Sequence, residues 1–336
     1  MRVRILGAGI IGLSCADELV RRGHEVEVVD PAPASGASHA AAGMLSPAGE
    51  VWHGEPELFD LGTRSLARWP AYAARLGVPL HRTGTLLVGV DAGDLQQVER
   101  RVDLLARHGV VVRPLGRREV RAAEPRLTVR AAGGALMPDY HSVDPRAVLS
   151  ALLRRVPVVP SAPSGSADAT IVATGARLPA PFEALVRPVR GEIVRARTPD
   201  PPGLTVRAEV NGEPLYVVPR ANGEVVIGAT SEEHDGEPVP TVGGIERLLR
   251  SARELMPGLE TAELVETLAR DRPGTRDNLP LVGASDREGV LLAAGHFRHG
   301  VLLAPLTAAL VADHLEDGRI VPALDPRRFE RSPACT

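Results

Sequence analysis

The residues best suited to chemistry sit near the two ends of the chain. Towards the C-terminus, Arg272 in RDRPGT and Arg298 in GHFRHG stand among glycines, prolines and apolar runs. A guanidinium fork matches a planar carboxylate in bidentate fashion, so an arginine in such a setting is either an anion anchor or a solvent-facing loop charge. Tyr216, one of three tyrosines, lies in LYVVPR; it is either a packed strand residue or a hydroxyl donor whose ring walls a pocket. His296 and His299 flank Arg298 without a carboxylate or cysteine companion, so no metal site is expected. At the other end Gly7, Gly9 and Gly12 form G-x-G-x-x-G, and Asp30 follows Gly7 by 23 residues. That spacing suits a diphosphate turn and a ribose-accepting carboxylate.

These groups need elements to hold them. Val3, Ile5 and Leu6 read as a short buried strand, and Leu13, Ala16, Leu19 and Val20 as the apolar face of a helix that Gly23 ends. Val26, Val28 and Val29 make a second strand running into Asp30. The helix start would offer N–H groups and a partial positive charge to a diphosphate. The next segment, GASHAAAGMLSPAGE (36–50), has neither helical nor strand period and is apolar from Ala40 to Leu45. A nicotinamide enzyme would normally enter another βα unit here; this stretch suits backbone laid against a ligand.

Bulk properties narrow the class. A chain of 336 residues implies two lobes sharing a cleft. The net charge of −3 leaves no basic excess for nucleic acid. All 39 cationic residues are arginine, so Schiff-base chemistry on a lysine is excluded. Cys15, in an apolar helix, and Cys335, in a polar tail, give no disulfide or metal framework. The N-terminus enters a strand with no signal-peptide pattern, and the apolar run from Gly300 to Ala312 is too short to span a bilayer and holds Pro305. A cytoplasmic protein without membrane association is expected.

Seven pieces in order, GAGIIGLSCADEL, ASHAAAGML, DATIVATGA, RPVRGE, YVVPRANGEVVIGAT, RPGTRDNLPLVG and GHFRHGVLLAPLTA, extend over nearly the whole chain. Together they resemble the D-amino-acid oxidase group of flavoproteins, most nearly the glycine oxidases of thiamine biosynthesis. AAAGML with RPGT and GHFRHGVLLAP carries most of the specificity. The resemblance implies a two-lobed α/β (α+β) fold. A Rossmann-like FAD-binding lobe would be built from 1–60, 138–185 and 268–336, and a β-sheet substrate-binding lobe from 61–137 and 186–267. Amphipathic helices are expected over 58–77, 92–109 and about 243–256, strands over 83–90, 110–115 and 187–197, and a hairpin turn at ANGE (221–224). VDPRAVLSALLRRV should be a helix with proline near its start.

The resemblance also implies non-covalent FAD, since no cysteine lies between Cys15 and Cys335 to attach it, and oxidation of a small amino acid. Hydride would leave the α-carbon for the flavin, the imine would hydrolyse, and oxygen would be reduced to hydrogen peroxide. Arg272 and Tyr216 would then take the substrate carboxylate, with Arg298 and Met44 near the reacting centre. Gly7, Gly9, Ile10, Ile11, Gly12, Asp30, Ser38, Ala41, Ala42, Gly43, Met44, Thr174, Gly175, His296, Arg298, Gly300, Val301 and Leu302 would contact the cofactor. Ser38 corresponds to a hydroxyl aimed at the diphosphate; Arg270 and Arg276 read as surface charges. Pro214 and Ser231 depart from the glycine-oxidase pattern, so sarcosine or small D-amino acids are further candidate substrates. The chain from 156 to 168 is shorter than the family's, which leaves its adenine contacts open. A homo-oligomer and a role supplying thiazole synthesis also belong to the expectation. Alternatives are a D-amino-acid or sarcosine oxidase or dehydrogenase with another electron acceptor, and a non-catalytic flavin-binding subunit.

Overall fold

The computed structural model describes residues 1–47, 56–233 and 236–329. Cys335 and residues 48–50 of the loop discussed above lie outside them. Six strands form one sheet in the order Leu281–Ala284, Val290–Ala294, Ala169–Val172, Arg2–Leu6, Glu25–Val29 and Val158–Val159. All neighbours are parallel except the first pair. Helices Ile10–Arg21 and Gly300–Asp317 pack together over it. Residues 301–309 are buried without interruption, so this second helix is apolar all round rather than striped.

Eight strands form the other main sheet, in the order Glu263–Gly274, Arg187–Arg197, Glu224–Gly228, Glu213–Pro219, Thr205–Val210, Thr85–Gly89, Gly133–Met137 and Arg113–Gly116. Its one parallel pair is Thr205–Val210 with Thr85–Gly89. Helices Ala92–Arg107 and Val242–Leu255 pack on it. The expected hairpin joins Glu213–Pro219 to Glu224–Gly228: Gly223 has φ +80° and the Asn222 side chain accepts from Glu224 N. A third sheet of three short strands, Met44–Leu45, His141–Val143 and Leu80–His81, ties the loop after Ala40 to the rest of the molecule. Pro145 occupies the first helical turn of Pro145–Leu153, behind the Asp144 cap, as its chemistry favours.

Several local expectations are corrected. The helix expected over 58–77 is two, Pro56–Leu66 and Trp69–Leu76, because Pro70 suits a helix start and not an interior. The strand expected at 110–115 is Arg113–Gly116. Val20 is 46% exposed and faces away from the core that buries Leu13, Ala16 and Leu19. The 36–47 segment contains a helical turn, Ala37–Ala40, and the Met44–Leu45 strand. Glu263–Gly274 stays in the eight-stranded sheet to its end, so the chain reaches the six-stranded sheet only at Leu281. Pro305 lies beyond the first turn of its helix and leaves no N–H for Val301 O. One residue further on, the Leu302 carbonyl accepts from Ser65 Oγ at 2.6 Å and Trp69 Nε1 at 2.9 Å, donors that anchor the proline-bearing turn. Cys15 is fully buried, and burial pushes its thiol up to about 12, which makes it inert.

Candidate active site

A cleft of about 790 Å³ opens between the two main sheets, a size typical of cofactor sites. Every residue expected to contact cofactor or substrate lines it except Gly12. Gly12 sits one layer behind: a β-carbon there would stand 2.0 Å from Gly7 O, so only glycine lets helix and turn meet. Gly7, at φ +104°, has the Ala173 carbonyl 2.4 Å from where its β-carbon would be. The strand Ala169–Val172 and the Thr174–Gly175 turn therefore pass directly under the glycine turn. No carboxylate stands in the first turn of Ile10–Arg21 and Gly9 supplies no side-chain cap, so the positive helix end is left for a ligand.

Two polar groups fix this turn. The Asp30 carboxylate accepts from Ala8 N at 2.7 Å and Ala32 N at 2.8 Å, one bond per oxygen. Each oxygen keeps a further lone pair, and the half-buried group lines the cleft where a hydroxyl could donate. Ser38 Oγ accepts from Ile10 N at 3.1 Å, so its hydroxyl is tied to the helix start and retains its proton for an anion. Val158–Val159 forms the sheet edge, and Arg4 holds the short connection after it through Pro163 O and Gly165 O.

The opposite wall comes from the eight-stranded sheet, and its register decides the geometry. Directly paired residues point to the same face. Arg207 pairs with Tyr216, Tyr216 with Gly228, and Gly228 with Ile193. Gly191, two residues before Ile193, pairs with Arg270, and Arg272 follows on the same face as Arg270. The two glycines leave gaps that the two larger side chains fill. A β-carbon on Gly191 would stand 2.2 Å from the Arg272 guanidinium, and one on Gly228 would stand 2.3 Å from the Tyr216 hydroxyl. Gly191 and Gly228 are diagonal neighbours on adjacent strands, roughly 7–8 Å apart, and one donor sits over each. Arg272 Nη1 is held by Arg190 O at 3.3 Å and Thr230 O at 3.2 Å, which fixes the plane of the fork.

The remaining wall is the segment before Gly300–Asp317. Arg298 bonds Ser231 Oγ at 3.0 Å and lies over the Phe297 ring, and this pair spans the cleft mouth. His296 is buried, bonded through Nε2 to Thr307 Oγ1 at 2.9 Å, and burial with neighbouring His299 takes its pKa down to about 3. It is neutral at physiological pH. Among the described residues no group of three or more His, Cys, Asp or Glu could hold a metal. Met44 is half-buried in the cleft wall, 3.6 Å from Arg207 Nη1. Arg270, expected on the surface, lines the cleft and donates to Ser35 O at 2.8 Å. Sequence reading also passed over Arg207, Gly191 and Gly228; the signal was present for the glycines, since an isolated glycine inside a strand marks a close approach.

A glycine-turn βαβ unit ending in an acid, facing a separate sheet across one cleft, has the architecture of a dinucleotide-dependent oxidoreductase. The chain belongs to the FAD dependent oxidoreductase family (DAO), whose profile matches residues 2–157 and 154–314. It is 36% identical to the glycine oxidase of Geobacillus kaustophilus, over 94% of this chain and 92% of that one. The bifunctional protein ThiO/ThiG of Trichormus variabilis is 32% identical over 97% of this chain, which spans about half (54%) of that relative. The crystal structure of the Geobacillus glycine oxidase superposes with a TM-score of 0.88, covering 97% of this chain and 99% of the other at 32% identity. L-proline dehydrogenase from P. horikoshii shares the fold at TM-score 0.80 and 19% identity.

FAD is accordingly the cofactor, and the residues present fit it. Any β-carbon at Gly7, Gly12 or Gly43 would fill the cradle or its backing, the helix end above it carries no competing anion, and the cleft has the volume for a bound cofactor. Among the described residues no helix is long and apolar enough to cross a membrane.

Proposed function

We propose that this protein oxidises glycine to glyoxylate and ammonia, with oxygen and water consumed and hydrogen peroxide released. The observation that carries this reading is the Arg272–Tyr216 pair: two donors set over Gly191 and Gly228 to take one carboxylate, in a cleft shared with the glycine turn. FAD, when bound, supplies the two-electron chemistry at the substrate α-carbon and passes the electrons on to oxygen. The protein's part is to hold and orient. The Arg272 fork and the Tyr216 hydroxyl fix the carboxylate, which turns the α-carbon towards the cofactor wall formed by 40–44 and 296–302. Arg298 and Phe297 cover the mouth and keep water from the reacting centre. None of these roles calls for a side-chain base, in keeping with an amine that reacts in its neutral form.

The relatives named glycine oxidase and ThiO support glycine as substrate and a role in supplying thiazole synthesis for thiamine. A cytoplasmic homo-oligomer using molecular oxygen completes the proposal. A second reading, that sarcosine or small D-amino acids are also oxidised, rests on Ser231 and Pro214, both of which line the cleft with small side chains. The test is anaerobic addition of glycine, sarcosine and D-alanine to the yellow protein, followed by admission of air. Bleaching with glycine and peroxide in air are expected. Bleaching without peroxide would mean a dehydrogenase; a protein that stays oxidised with all three would refute the proposal.

A further inference from the structure

Three arginines grip the backbone of the segment that lines the cofactor wall. Arg270 donates to Ser35 O at 2.8 Å, Arg146 to His39 O at 3.1 Å, and Arg220 to Ala42 O at 2.5 Å. Arg146 is half-buried and also bonded to Glu266. Arg220 is different. It follows the Glu213–Pro219 strand, is only 6% exposed, and does not line the cleft, whereas Ala42 and Gly43 do. Among the described residues no carboxylate comes within ion-pairing distance of it, and its Nε has no partner. Its other bond is a long one to Pro219 O. Asp144 and, more weakly, Glu224 act on it as charges without direct contact, and Glu224 is engaged by Arg195. A desolvated guanidinium with no carboxylate in direct contact is costly and calls for a compensating function.

The direction of its one short bond suggests which. A trans peptide points its C=O and the following N–H in opposite directions. With the Ala42 carbonyl turned out to Arg220, the Gly43 N–H points the opposite way, and both residues line the cleft. Gly43 holds φ +76°, only glycine fits there because a β-carbon would stand 2.0 Å from Val143 O, and its own carbonyl accepts from Val143 N at 2.9 Å, which ties the far side of this residue. An electron-accepting ring gains negative charge on reduction, and a cation fixed behind the peptide it packs on stabilises that charge in a water-poor site.

We infer that Arg220 is a positioning residue for the bound FAD: it orients the Ala42–Gly43 peptide towards the cofactor and sets a buried positive charge behind it, which raises the reduction potential of the flavin. The inference rests on FAD as cofactor and not on which amine is oxidised. It is tested on the holoenzyme by dye-equilibrated reduction and by fluorescence titration of FAD. Arg220→Met should shift the flavin potential negative and weaken FAD at least tenfold, and Arg220→Lys should restore most of the potential. A buried lysine loses its proton far more readily than arginine, so the Arg220→Lys flavin should show an extra fall in potential between about pH 7 and 9.5 that the parent lacks. The groups facing this site, Asp144, Glu224, Arg195, Tyr216 and His81, are common to both proteins and cancel in the comparison. If Arg220→Met does not fold, the pH scan of Arg220→Lys decides alone. Potentials that overlay the parent across that range, or an unchanged potential in Arg220→Met, would overturn the inference. A purely structural Arg220 would alter thermal stability and leave the flavin potential where it was.

Discussion

Adding one methyl group at Gly191 should disable substrate binding without replacing any proposed catalytic side chain. Gly191 has no left-handed backbone requirement, and the nearest atoms to an added β-carbon belong to the far end of a flexible side chain, so the fold should accept alanine. The Arg272 guanidinium cannot stay, however. Its Nη2 would be 2.2 Å from the new carbon, while ordinary contacts begin at about 3.5 Å, so the fork must retreat by more than about 1 Å. It would also lose its alignment with Arg190 O and Thr230 O. A misplacement of about 1 Å in a positioning group costs roughly a hundredfold, or about 2.7 kcal/mol. Complete removal in Arg272→Ala sets the outer limit, about 2–5 kcal/mol for a lost charge pair. We expect kcat/KM for glycine, followed by peroxide release, to fall about a hundredfold in Gly191→Ala, with the inhibition constant for acetate rising in parallel and FAD affinity unchanged. Gly228→Ala, which displaces the uncharged Tyr216 hydroxyl, should show the same pattern at about tenfold. A Gly191→Ala enzyme within threefold of the parent in both kcat/KM and acetate inhibition would show that Arg272 does not hold the carboxylate.

Three further outcomes follow from the geometry. Gly12→Ala forces a β-carbon to within 2.0 Å of backbone Gly7 O, so the protein should be purified colourless and unstable; a yellow, fully stable variant by absorbance and thermal melting would contradict the cradle. His296 has its pKa depressed in the folded state, from 6.5 to about 3, so the unfolded chain takes up the proton first: stability is fully present above pH 6.5 and falls by up to about 1.4 kcal/mol per pH unit below it. Urea unfolding between pH 7.5 and 5 should show a shallower decline in His296→Asn, and equal slopes would remove His296 from the account. Replacing both Ser65 and Trp69 (Ser65→Ala with Trp69→Phe) strips the donors from the buried Leu302 carbonyl and should cost about 1–3 kcal/mol in denaturant melts, more than either change alone.

The N-terminal unit was legible because it is local. Strand, glycine turn, helix, second strand and Asp30 lie within thirty contiguous residues, and each glycine's role follows from steric limits that hold wherever the motif occurs. The absence of lysine and the spacing of Gly7 and Asp30 needed no coordinates. The resemblance of the later segments indicated the rest of the family's plan, and with it the bet on Arg272 and Tyr216. What the sequence could not supply was register. Arg272 and Tyr216 become one site only because Gly191 and Gly228, 37 residues apart in the chain, fall on adjacent strands of the eight-stranded sheet and leave room above them. The grip of Arg220 on Ala42 joins positions 178 residues apart and has no local signature, since buried and exposed arginines look alike in a sequence. Local sterics are written in neighbouring residues; long-range pairing depends on which strands lie side by side, and that is decided only when the whole chain has packed.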